Sequence, residues 1–62
     1  MKTVYVIYKR NKYGMSPYAY STNEKAAMSF ADKMGIDSEI KASALEKVEH
    51  LLKQLKVKNL DK

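Results

Sequence analysis

The chain has 62 residues, no cysteine, a single histidine and a formal net charge of +5, from 12 Lys+Arg against 7 Asp+Glu. A chain this short makes one domain, residues 1–62, and buries only about 60% of its unfolded surface, so it depends on good packing or self-association. The composition excludes a disulfide staple, a thiolate metal site and a zinc site built on His50 alone, and the apolar run in MKTVYVIY is too short for a signal peptide or a membrane span.

Residues 3–9 (TVYVIYK) are dense in β-branched and aromatic types, and residues 16–20 (SPYAY) more loosely so. With Asn11 and Gly14 as turn formers between them, the pattern predicts a β-hairpin. Pro17 has no backbone N–H and suits an edge strand, so the second strand keeps one side unpaired and the first is free to take another neighbour. In STNEKAAMSFADKMGID the period changes, because Ala27, Phe30, Ala31 and Met34 recur at helical spacing. The helix start has the capping-box spacing Ser21-x-x-Glu24, with Thr22 as a rival cap. Its end has Lys33 in the last turn, Gly35 as a left-handed residue and Ile36 placed to fold back.

Further on, Ile40, Ala44, Val48, Leu51 and Leu55 fit one continuous helical stripe. Against a single helix, residues 39–43 alternate polar and apolar, and Ser43-x-x-Glu46 repeats the capping-box spacing. The reading is a short strand near 39–42 followed by a helix near 44–57. A third strand also relieves the marginal stability of a lone hairpin, and a right-handed crossover sets it beside the first strand. The expected fold is therefore α+β, a ββαβα domain with a three-stranded antiparallel sheet of order 2-1-3 and two helices on one face. The alternative is ββαα, and the tail KNLDK is expected to fray.

All five tyrosines fall between Tyr5 and Tyr20. If the hairpin closes with Arg10 opposite Met15 around a four-residue loop, Val6 faces Ala19, Ile7 faces Tyr18 and Tyr5 faces Tyr20. Alternation then puts Val4, Val6, Tyr8 and Ala19 under the helices and leaves Tyr5, Ile7, Tyr18 and Tyr20 as an open platform. A loop of three or five residues shifts the register by one and moves Tyr18 and Tyr20 to the covered face, where they are core. On the platform reading Tyr5, Ile7, Met15, Tyr18 and Tyr20 form a protein-binding surface, and the partly unpaired hairpin edge can take a partner strand or a second copy of the chain.

The positive charge points to nucleic acid, an anionic membrane or an acidic protein patch. Acids and bases are mixed over most of the chain, but Lys9, Arg10 and Lys12 cluster in the hairpin turn, and Lys53, Lys56 and Lys58 near the end. The nucleic-acid reading uses these six residues with Tyr13 as a stacking ring and the tyrosine-bearing sheet face as a further stacking surface. His50 lies off the apolar stripe without a convergent nucleophile or carboxylate pair, so no catalytic or cofactor site is expected. Met34 belongs to the core stripe of the first helix, and Met28 is the methionine expected at the surface. The basic second helix has no Trp or Phe to anchor it in a membrane and is read as a packing element.

The pattern VYVIY, a short polar turn and YSTNEKAAMSFADKM resembles small proteins encoded by phages and prophages of low-GC Gram-positive bacteria, over residues 3–34. The resemblance implies a class, tiny accessory proteins that modify or inhibit a host or competitor protein or handle nucleic acid, and no activity. The sequence thus leads to a small basic, non-enzymatic binding module with no cofactor and no membrane partner. A protein partner ranks ahead of nucleic acid, and the absence of cysteine fits the cytoplasm.

Overall fold

A computed structural model of the protein describes residues 2–35 and 37–61. In chain order it holds β1 (Thr3–Asn11), β2 (Gly14–Ser21), α1 (Glu24–Met34), β3 (Ser38–Ala44), α2 (Leu45–Gln54) and the short β4 (Lys58–Asn59). The sheet order is β3-β1-β2-β4, with β1 antiparallel to β2 and to β3, and β4 parallel to β2. The α+β class and the order of the first three strands agree with the sequence reading, and the strand over 38–44 removes the ββαα alternative. The sheet is nevertheless mixed, because β4 adds a parallel strand that two residues of ordinary propensity do not announce. Among the described residues no helix is long and apolar enough to cross a membrane.

The hairpin closes as expected with Arg10 opposite Met15, and the ladder then runs one pair further to Asn11 and Gly14. The loop is therefore only Lys12-Tyr13. Asn11 holds it, accepting a hydrogen bond from the Tyr13 backbone N–H at 2.8 Å and donating to Ser16 Oγ at 3.0 Å, while Gly14 takes φ 118, a conformation costly for other residues. Towards the other end the register slips by one, so that Ile7 faces Ala19, Val6 faces Tyr20 and Tyr5 faces Ser21. Tyr18 is the extra residue, and β2 carries a bulge there. Pro17 lies opposite Tyr8, whose own backbone groups turn towards β3, so the missing N–H costs no ladder bond.

The two helices lie on opposite faces of the sheet, correcting the expectation of both on one. Ala27, Phe30, Ala31 and Met34 of α1 pack with Ile7, Ala19, Tyr5 and Ile40. Leu45, Val48 and Leu52 of α2 pack with Val4, Val6, Tyr8 and Tyr20. Connectivity explains this. β2, β3 and β4 all run the same way, and the β2-to-β3 crossover steps across the sheet in one direction while β3-to-β4 steps back. Two opposite steps have the same hand only if their helices cover opposite faces. Leu52 is the buried leucine of α2, while Leu51 and Leu55, placed on the stripe by the sequence reading, are exposed, because the face that packs on the sheet is Leu45, Val48 and Leu52, and Leu55 already lies at the helix end.

The ends of the elements depart from the expected caps in ways that local spacing could not show. Asn23, not Ser21 or Thr22, caps α1, its side-chain oxygen accepting from the backbone N–H groups of Lys25 (2.9 Å) and Ala26 (3.4 Å). Gly35 closes α1 at φ 86, as expected, whereas the contact expected of Ile36 lies outside the described residues. Ser43 caps nothing, because α2 follows β3 without a break and the Leu45 N–H is already bonded to the Lys2 carbonyl at 2.8 Å. The tail is pinned rather than frayed. The Leu60 N–H donates to the Tyr20 carbonyl at 2.8 Å, and Asp61 accepts from Ser21 Oγ (2.6 Å), the Thr22 N–H (3.0 Å) and Thr22 Oγ (2.8 Å). Ser21 is fully buried, so Asp61 satisfies a hydroxyl that water cannot reach.

Two outcomes are expected. Tyr20→Ala should lower stability by about 2–4 kcal/mol, because it removes a ring packed between β1 and α2; a wild-type urea midpoint would mean that this side of the sheet is not packed as described. The second concerns Asp61, whose carboxyl lies below its usual 3.8 because of the Ser21 hydroxyl bond first, then the Thr22 N–H and hydroxyl. A lowered folded value means that the ionised form stabilises the fold above pH 3.8 and that this stabilisation is lost as the pH falls through the lowered value. Asp61→Asn should therefore melt below wild type at neutral pH, with the gap closing as the pH falls from about 5 towards about 2. A gap that persists at acid pH would contradict the role of the charge.

Candidate nucleic-acid interface

The structure divides the residues read from the sequence as a protein-binding platform. Ile7 is 0% exposed beneath α1, Tyr5 is half-buried beside it, and Tyr20 is half-buried on the other face beneath α2. There is no open tyrosine face, since each face of the sheet carries a helix. Only Tyr18 (46% exposed) and Met15 (39% exposed) of that set reach solvent substantially. The bulge is the cause: by inserting Tyr18 it sets the small residues Ala19 and Ser21 on the α1 side with Ile7 and Tyr5 and moves Tyr20 to the α2 side with Val6.

Freed from the regular pleat, Tyr18 stacks on Phe30 of α1, with ring centroids 6.0 Å apart and planes inclined by 28°. The Lys9 ammonium sits over the Tyr18 ring at 5.3 Å from its centroid, and Lys58 over Phe30 at 5.9 Å. Lys9, Tyr18, Phe30, Met34 and Asp37 line a cleft of about 190 Å³ at this position. Phe30, read from the sequence only as part of the core stripe of its helix, is the element of this arrangement that sequence spacing missed. Its position on α1 is regular, and it is half-buried, packing on the α1-side core with one side and meeting Tyr18 with the other.

At the hairpin tip, Tyr13 is 87% exposed with the Lys12 ammonium 5.2 Å from its ring centroid. Arg10 pairs across the strands with Met15, both exposed. On the α1 face Lys9, Tyr18, Phe30 and Lys58 thus form a strip of rings and cations running towards β4, and Lys12 and Tyr13 extend it at the tip, whereas Arg10 follows Val6 and Tyr8 on β1 and projects from the other face of the hairpin. Lys53 stands apart. It is bridged to Glu49 at 3.2 Å and lines a different cleft with Lys2, Thr22 and Asp61, at the end of the sheet away from the tip. Lys56 occupies the left-handed turn between α2 and β4 (φ 54).

Within the strip, Asp37 is the carboxylate on the cleft wall, and the other charged groups are cations. Among the described residues the only ion pair is Lys53–Glu49, so none of the strip cations is neutralised by a carboxylate at contact distance. No three His, Cys, Asp or Glu side chains converge as a metal site among the described residues, and His50 is exposed on α2. Neither family models, curated proteins nor solved structures give a match to this chain, so the site is read on its own geometry.

Because Tyr18 stands on the surface, Tyr18→Ala is expected to change stability by less than about 1 kcal/mol, in contrast to Tyr20→Ala. A urea midpoint lowered as much as that of Tyr20→Ala would make Tyr18 part of the core and remove it from the site.

Proposed function

We propose that the protein is a small non-enzymatic binding module and that its ring-and-cation strip binds single-stranded nucleic acid. The observation that carries this reading is that Tyr13, Tyr18 and Phe30 each have a lysine ammonium within 6 Å of the ring centroid, from Lys12, Lys9 and Lys58. Flexible ammonium groups can exchange a ring face for a phosphate, which leaves the ring for a base. Phosphate neutralisation and base stacking then act side by side, the combination that single strands offer and a closed duplex does not.

The sequence ranked a protein partner first because of the supposed open platform. With Tyr5, Ile7 and Tyr20 packed against helices, that support falls on fewer residues. A protein partner remains the second reading, favoured by the exposed cross-strand pair Arg10 and Met15, residue types enriched at interface hot spots. In that case the module would modulate or inhibit a host or competitor protein, as the resemblance to phage accessory proteins implies.

Fluorescence anisotropy with labelled oligothymidine and oligouridine separates the two. With Lys9, Arg10, Lys12 and Lys58 neutralising about four phosphates at a slope of about −0.7 each, affinity should fall about 50-fold between about 50 and about 200 mM salt. Changing Lys9, Arg10 and Lys12 together to Gln should flatten the slope to that of one phosphate. Tyr13→Ala and Tyr18→Ala should weaken binding with the slope unchanged, by about 1–3 kcal/mol for each stacked base. If neither oligomer binds at about 50 mM salt, the nucleic-acid reading is lost. Retention of a protein from nuclease-treated lysate that is abolished by Arg10→Ala would then favour the second.

A further inference from the structure

The strand at the other margin of the sheet carries a second surface. The Arg10 N–H donates to the Asp37 carbonyl and the Leu45 N–H to the Lys2 carbonyl, both at 2.8 Å, at the two ends of the β1–β3 ladder. Hydrogen-bonded pairs alternate in an antiparallel ladder, so residues 37, 39, 41, 43 and 45 spend their backbone groups on β1. Ser38, Ile40, Ala42 and Ala44 therefore turn their N–H and C=O groups to the open edge of the sheet. That edge is seven residues long and carries no proline and no bulge. Beside it, between α1 and β3, runs an open groove of about 480 Å³ lined by Met28, Ala31, Asp32, Gly35, Ser38 and Ile40, with Met28 56% exposed. Ser38 Oγ donates to the carbonyls of Ala31 (3.0 Å) and Gly35 (2.8 Å), which ties the start of the strand to the end of α1 and holds the groove in shape.

We infer that this edge pairs antiparallel with the β3 edge of a second copy of the chain, centred on Ile40. The charges choose the occupant and the register. Glu39 and Lys41 both point to the α2 face and are both exposed. Centring the pair on Lys41 sets like charges opposite each other, centring on Glu39 does the same at the dyad and leaves Lys41 only Asp37, which precedes the strand, and centring on Ala42 leaves both without a charged partner. Centring on Ile40 sets Glu39 opposite Lys41 of the second copy, and Lys41 opposite Glu39 of the second copy. These are non-hydrogen-bonded positions, where side chains approach most closely. Ser38, Ile40 and Ala42 meanwhile exchange about six backbone hydrogen bonds with the same residues of the second copy. On the α1 face Ile40 meets Ile40 of the second copy at the dyad, against the open side of both grooves. The two copies then share one continuous eight-stranded sheet, and each loses its longest unprotected edge.

Analytical ultracentrifugation from about 10 µM to about 1 mM, with amide hydrogen exchange, tests this. Wild type should dimerise within that range. Glu39→Lys, and separately Lys41→Glu, should each weaken the dimer at least about tenfold, and the double exchange Glu39→Lys/Lys41→Glu should restore it. Both positions are exposed, so circular dichroism and melting should remain those of a folded chain. In the wild-type dimer the amides of Ile40 and Ala42 should exchange at least about tenfold more slowly than in the monomeric single variants. A wild type that stays monomeric overturns the inference, as does a dimer that ignores the single exchanges. Failure of the double exchange to restore association overturns the register and with it the choice of a second copy.

Discussion

The extra residue at Tyr18 sets the side of the sheet on which almost everything else happens. Between Asn11 and Tyr8 the hairpin keeps the register that its two-residue turn imposes. Beyond the bulge, the register is instead the one that α1 requires. Ala27 lies fully buried in the α1-side core with Ala19 and Ile7, so only small side chains on β2 allow the helix to come that close. Had the first register continued, bulky rings would occupy those positions and the helix would be pushed away. The bulge reconciles turn and core at the cost of one unpaired residue, and that residue supplies the exposed ring on which the proposed binding strip is built.

Topology supplies the second constraint. One strand, β1, is antiparallel to three strands that run together, and the two helical crossovers step in opposite directions. A common hand forces the helices to opposite faces, which gives a 62-residue chain two thin cores rather than one thick one. Such a layout leaves little apolar burial to spare and explains the reliance on the tail. β4, the Leu60 N–H bond and the Asp61 carboxylate close the far end of β2 and cap the turn into α1. A polar tail thus secures the junction between β2 and α1.

The two margins of the sheet have different chemistry. Along β2 the half nearest the tip is left unpaired, with Pro17 removing a donor and rings and lysines projecting beside it. Along β3 the donors and acceptors are complete and the flanking charges alternate in sign. A margin without a full set of backbone groups suits side-chain recognition of an anionic partner, and one with a full set suits strand addition. The proposed strip and the proposed self-pairing edge therefore do not compete for the same residues.

What the sequence alone determined was local: the hairpin from alternating β-branched and aromatic residues, α1 from its 3.6-residue period and its glycine stop, the strand near residue 40 from polar-apolar alternation, and the clustering of basic residues at the tip. Each is a property of neighbours along the chain. The side on which α2 packs, the parallel β4, the use of Asn23 rather than Ser21 as a cap and the fate of each tyrosine were decided only in three dimensions. Ser21 illustrates the reason. Its spacing to Glu24 satisfies a capping box, yet its hydroxyl is committed to Asp61, forty positions away, because folding buries it where only the tail can reach. Likewise a bulge changes every side-chain direction beyond it without changing a residue, so no periodicity in SPYAY could tell which tyrosine lies beneath a helix and which meets solvent.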